Sequence, residues 1–454
     1  MSASSADPTD PPPGASPRVM RVARVLVRPL ERFLRIQSAS SVVLLAAAAV
    51  ALGWANSPWA GSYHALWQTE LHLGVGAWSA STSLHFVVND VLMAVLFFVV
   101  GLEIRRELHA GELSDLRRAS LPIIAAIGGM LVPALCYLAI SPGGDAARGW
   151  GVPMATDIAF AVGILALLGP RVPPGLRVLL LGLAIIDDIG AIVVIAIFYS
   201  AGIQLAGLGI AVAGIAAIVA LQRFGVRSAI AYAIPAAVIW CGVLWAGIHP
   251  TLAGVIVGLL TPARAWYGPQ RLLDAAHQTL GEIHEHTEAA QPNPPELAGS
   301  LSRLGRAQRE ALSPVERMEV VFHPWVAFGI MPAFALANAG VDLGGIALGA
   351  APGVALGIAA GLVVGKPIGV MLASALAVKL GIAALPGGVT WRGLMVVGTV
   401  AGIGFTMAIF IAGLAFEARP DLHGIAKVAV LSASVLAAVL TLIIGRRVLR
   451  PPEA

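Results

Sequence analysis

Apolar residues dominate the chain in long runs, and polar residues collect in the short breaks between them. A helix needs ~20 apolar residues to cross a bilayer core. Twelve runs meet or approach that length, at about 39–58, 84–107, 118–140, 149–169, 175–200, 205–222, 227–246, 248–261, 320–341, 353–379, 393–416 and 424–445. The pair 227–246 and 248–261 is the least regular, since the second run is short and opens on His249-Pro250. The pattern predicts an all-α polytopic membrane protein with twelve transmembrane helices. One membrane domain occupies 39–447, and short tails at 1–38 and 448–454 flank it.

Three stretches break the pattern. Residues 1–38 open polar and Pro-rich, a disordered composition. Arg18, Arg21, Arg24, Arg28, Arg32 and Arg35 then alternate with apolar residues, the spacing of a basic amphipathic helix on the membrane surface. No small-residue cleavage site follows a short apolar core, so this reads as a retained tail and not as a signal peptide. Residues 59–83 alternate apolar and polar and reach a Gly turn, which predicts an outer hairpin. Residues 262–318 form a long polar insertion. Its His277, His284, His286, Glu282, Glu285 and Glu288 have no diagnostic ligand spacing. A solvated helix followed by a Pro-rich linker accounts for them.

Composition and charge fix the class and the orientation. Of 454 residues, 58% are hydrophobic and 12% charged, against roughly 25% charged in soluble proteins. The chain has 29 Lys and Arg residues. With twelve crossings, all but Arg148, Lys366, Arg419 and Lys427 fall on the side of the two termini. The positive-inside rule therefore puts both termini in the cytoplasm. Scattered basic residues of this kind do not suit nucleic acid. Cys136 and Cys241 lie in separate apolar runs and read as small packing residues.

Few charges remain inside the runs: Asp90, Asp157, Asp187, Asp188 and Lys366, with Glu103 and Glu107 at the cytoplasmic end of the second run. An acid at a helix centre costs roughly 2.5–3.5 kcal/mol on insertion scales, so intramembrane ionisable groups are functional candidates by default. Asp187 and Asp188 are neighbours and diverge by about 100° around a helix. One can face Lys366 while the other faces a cavity. A carboxylate that titrates in the working range can trade a proton for a hard cation such as Na⁺ or Li⁺, which takes oxygen ligands. A site that binds either species, and alternates between membrane faces, is an antiporter.

Two runs look interrupted. In one, Pro153 precedes Thr156-Asp157; in the other, Gly398, Gly402 and Gly404 precede Thr406. Interrupted spans in corresponding halves of a transporter point to broken helices at a midplane site. Asp157 would offset the positive dipole ends of the half-helices, and Lys366 the negative ends.

The stretches ATDIAFAVGILALLG, LAIIDDIGAIVVIAIFY, HPTLAGVIVG, HPWVAF, FALANAGV, GKPIGV and GIGFTMAIFIAGLAF resemble the NhaA family of bacterial Na⁺/H⁺ antiporters. The resemblance runs from about Ala39 to Arg447, apart from the long 262–318 loop. It implies an inverted-topology repeat, spans 3–5 against spans 10–12, whose two broken helices cross at mid-membrane. It implies that Asp188 is the principal Na⁺ or Li⁺ ligand, that Asp187 shares the ion and proton site, that Thr156 lines it, and that Asp157 sits at the helix crossing. Asp187 can pair with Lys366. Glu103, Glu107, His249, Glu319 and His323 match positions tied to pH response. The family is electrogenic, inactive at acid pH, resident in the inner membrane, and dimeric through the outer hairpin. No cofactor and no enzymatic step are implied; the ligands are Na⁺, Li⁺, H⁺ and membrane lipid.

Other classes fit less well. A Na⁺-coupled symporter of an organic anion needs a larger cavity. An intramembrane aspartyl protease needs two acids on separate helices, and no GxGD motif occurs. A passive channel has no use for a carboxylate pair sealed in an apolar helix.

Overall fold

A computed structural model describes residues 37–449, apart from 76–77, 142, 201, 227–228, 266–272, 275, 283–297, 300, 303, 306–310 and 345–347. The basic N-terminal segment up to residue 36, the tail from residue 450, and His284, Glu285, His286 and Glu288 lie outside the described residues. The described residues form helices and one hairpin, joined by turns and short loops. Helix α1 (Gln37–Ala55) turns by 114° into α2 (Ala60–Gln68), and strands β1 (Glu70–Val75) and β2 (Trp78–Ser83) follow. The strands pair antiparallel, from Glu70 opposite Ser83 to Val75 opposite Trp78. The first part of the 59–83 segment is thus a helix. Tyr63 anchors it by donating to the Leu336 carbonyl at 2.9 Å.

Helix α3 (Leu84–Ala110) and α4 (Leu116–Ile140) lead to the first interrupted span. Its first half, Gly144–Met154, is wound as 3-10 turns, and its other half is α5 (Ile158–Ala166). Then come α6 (Pro174–Phe198), α7 (Leu205–Arg223), α8 (Ala229–Trp245), α9 (Thr251–Leu260), α10 (Pro314–Asn338) and α11 (Pro352–Lys379). The second interrupted span is α12 (Trp391–Ala401) with α13 (Phe405–Ala415), and α14 (Pro420–Val448) closes the fold. Both interrupted spans bend by 47° at their breaks.

Among the described residues, seven helices are long and apolar enough to cross a membrane, or ten if each bent pair is one span. Helices α8 and α9 are shorter. They separate at His249-Pro250, where proline has no N–H to extend a helix.

Glycine decides how closely the helices approach, because lipid gives apolar side chains no reason to prefer protein neighbours. A Cβ on Gly101 of α3 would lie 2.8 Å from the Val255 carbonyl oxygen of α9. Gly128 of α4 and Gly369 of α11 are backed against each other's carbonyl groups in the same way. Helix α11 carries a π-turn over Gly361–Gly365, directly before Lys366. Such turns shift the helical face and recur at functional sites.

Candidate ion-binding site

The site begins with two gaps in the backbone ladder. Residues Ala155–Asp157 and Gly402–Gly404 are unwound, so part of the helical ladder is interrupted at each break. In a bilayer the backbone groups freed by a break must be satisfied by protein. The two breaks satisfy each other. The Asp157 amide donates to the Ile403 carbonyl at 2.8 Å. The Thr156 hydroxyl lies 2.9 Å from the Ala401 carbonyl. Gly402 allows this crossing, since a Cβ there would strike the Leu362 carbonyl in the π-turn of α11.

Asp157 holds the crossing from both sides. Its Oδ1 caps α5 by accepting from the Phe160 amide at 3.0 Å. Its Oδ2 accepts from the Thr406 amide at 3.2 Å and from the Thr406 hydroxyl. Phe405 has φ +23°, and its amide donates to Ser434 Oγ of α14 at 3.1 Å. This is the sole non-glycine residue with positive φ among the described residues. Asp157, Asp187, Asp188 and Lys366 are all buried.

Lys366 fills the other role. Its Nζ is 2.7 Å from Asp187 Oδ2 and also donates to the carbonyl of Met154, the last residue of the 3-10 half. Thr156 Oγ1 lies 2.6 Å from the same Asp187 oxygen. The second oxygen, Asp187 Oδ1, is buried and, among the described residues, has no hydrogen-bond partner. Asp188 is 4% exposed and, among the described residues, makes no hydrogen bond or ion pair. The charged groups around it are Glu103, Asp187, Asp157 and Lys366. One acid of the neighbouring pair is therefore engaged by a cation and a hydroxyl, and the other is left open. Unpaired carboxylate oxygens in a dry interior are what a desolvated monovalent cation lacks.

This architecture agrees with the comparison to known proteins. The Na⁺/H⁺ antiporter 1 family model matches residues 31–444. The chain belongs to that family. It is 58% identical over 452 residues to Na⁺/H⁺ antiporter NhaA 2 of Sorangium cellulosum, covering 99% of this chain and 96% of that protein. It is 57% identical over 439 residues to NhaA 2 of Myxococcus xanthus, covering 96% and 92%. Against NhaA of a Janthinobacterium species it is 52% identical over 440 residues, covering 96% and 97%. The family is one of transporters and not of enzymes.

In this antiporter the residues matched to pH response fall into separate places. Glu103, Glu107 and Glu319 meet at the end of α3 nearer Ala110. Arg106 joins them: it bonds Glu319 of α10 and lies 3.2 Å from Glu107. His249 is not in this cluster. It stands before α9, with Nε2 3.7 Å from Asp90 Oδ1 and Nδ1 2.8 Å from Thr251 Oγ1. His323 is exposed on α10, one turn beyond Glu319. The carbonyls of Met154 and Ala401 act through the backbone, and backbone roles leave no residue signature in the sequence. Arg106 was legible only as a charge beside two glutamates. Thr406, a hydroxyl just after a glycine break, was the available signal for the crossing.

Proposed function

We propose that this chain is an electrogenic, pH-regulated antiporter of the bacterial inner membrane that expels Na⁺ or Li⁺ in exchange for protons. It does so through twelve crossings arranged as an inverted repeat, with both termini in the cytoplasm, and as a dimer joined through the outer hairpin. Membership of the antiporter family carries the exchange itself. The observation that supports the site is the pairing of an unpartnered Asp187 Oδ1 with an uncommitted Asp188 on the next residue.

The cation is bound by Asp188 and the free oxygen of Asp187, with Thr156 close by. Its arrival competes with protons on the same oxygens, so the site holds one or the other. Lys366 keeps one oxygen of Asp187 occupied, and coupled groups of this kind release protons as a set. More than one proton leaving for each cation makes the cycle electrogenic.

Thr156 links this chemistry to the broken helices. Its hydroxyl has one proton and two acceptors in reach, Asp187 Oδ2 and the Ala401 carbonyl. Facing an ionised Asp187, the hydroxyl donates to the carboxylate. When Asp187 is protonated, the acid donates to Thr156, and the hydroxyl turns to Ala401. The protonation state thereby alters the hydrogen bond that ties the first break to α12. The bundle holding the breaks then moves as a unit between the two faces.

Reconstitution into liposomes containing a pH dye tests the reading. Na⁺ or Li⁺ added against an imposed pH gradient collapses it, and clamping the membrane potential with a K⁺ ionophore speeds the collapse. A potential-independent rate contradicts electrogenic exchange. Na⁺-driven uptake of an organic anion without proton flux contradicts antiport.

A further inference from the structure

Phe410 lies on α13 one turn beyond Thr406, on the outer side in the orientation proposed above. Its ring centroid is 5.6 Å from that of Phe97 on α3 and 6.2 Å from that of Phe334 on α10. All three rings are buried. The far side of this trio is polar. The imidazole of His249 meets Phe410 edge-on at 5.2 Å, and it lies 3.7 Å from Asp90. Asp188 interacts electrostatically with Glu103, which puts it toward the other side of the trio. Along α3, Asp90 and Glu103 stand on opposite sides of Phe97, about 10 Å and about 9 Å away at 1.5 Å per residue.

We propose that Phe410, closed on Phe97 and Phe334, is the outer gate of the ion pathway. Three rings present no oxygen to a cation, and an apolar constriction of this kind blocks ions by excluding water. Their placement suits a gate that opens with the transport step. Phe410 rides on the element whose first turn carries Thr406, the partner of Asp157. Phe97 and Phe334 belong to α3 and α10, which do not contribute to the crossing. Displacing the crossing relative to α3 and α10 pulls Phe410 out of the trio and joins the Asp188 side to the Asp90–His249 side. The exchange reading supplies the direction of this step; the closure itself stands on the ring geometry.

Accessibility tests the gate without relying on transport. A reporter cysteine is placed by Asp188→Cys in a Cys136→Ser, Cys241→Ser background. It is then labelled in oriented liposomes with a membrane-impermeant cationic methanethiosulfonate. Phe410→Ala is expected to raise the labelling rate from the outer face several-fold, while Phe410→Trp leaves it at the parent rate. Labelling from the cytoplasmic face reports that the variant is folded. An outer-face rate in Phe410→Ala equal to the parent's, with cytoplasmic labelling preserved, overturns the proposal. Should Phe410→Ala lose cytoplasmic labelling, Phe334→Ala opens the same gap from the other wall and is judged by the same two rates. Failure of Na⁺/H⁺ exchange in the unmodified protein is a separate result, read from proton flux alone.

Discussion

Lys366 Nζ stands 2.7 Å from Asp187 Oδ2, and neither side chain has any accessible surface. Breaking a buried pair from one side leaves an uncompensated charge and typically costs about 3–5 kcal/mol, whereas replacing both partners by neutral groups costs far less. Lys366→Met should therefore lower the thermal unfolding temperature in detergent sharply. Adding Asp187→Asn to it should restore much of the loss. A single variant as stable as the double variant contradicts the pairing.

On the proposed mechanism Thr156 acts through its hydroxyl and not through its shape. Thr156→Val keeps the volume but removes the one donor within reach of both Asp187 Oδ2 and the Ala401 carbonyl, at a cost of about 1–3 kcal/mol for an unsatisfied buried group. The expected result is a raised KM for Na⁺ and slower turnover, with Thr156→Ser close to the parent. Equal kinetics for Val and Ser would remove Thr156 from the mechanism.

Arg106 is the cation among Glu103, Glu107 and Glu319. Without it, three carboxylates face one another with no cation between them, and like charges repel. On the pH-regulated reading proposed above, the active state of the antiporter is then reached at a higher pH. Arg106→Gln should move the activity profile toward alkaline pH, measured as Na⁺-induced dequenching of a pH dye across a pH series. Arg106→Lys should shift it less. A shift toward acid pH contradicts this role for Arg106.

Much of this was legible in the chain. Hydrophobic runs and their lengths give the helices, because the bilayer permits few alternatives. The rarity of charges inside those runs isolates Asp157, Asp187, Asp188 and Lys366 without any structure. The interruptions at Pro153 and Gly402 were readable for the same reason: both residue types disturb a helical ladder. What was not legible depends on three-dimensional register. Nothing in the sequence says that the carbonyl of Met154 faces Lys366, or that Thr156 divides its proton between Asp187 and Ala401. Nor does it say that His249 lies beside Asp90, away from Glu319. Helices α8 and α9 were ambiguous because their lengths fall below a full crossing.

The central claim is that Asp188 is the open acid of the pair and binds the transported cation. Isothermal titration of Li⁺ into the purified protein at alkaline pH, in parallel for the parent and Asp188→Asn, tests it most directly. The parent should bind Li⁺ with release of protons to the buffer, and Asp188→Asn should show neither heat nor proton release. Undiminished Li⁺ binding by Asp188→Asn would contradict the account.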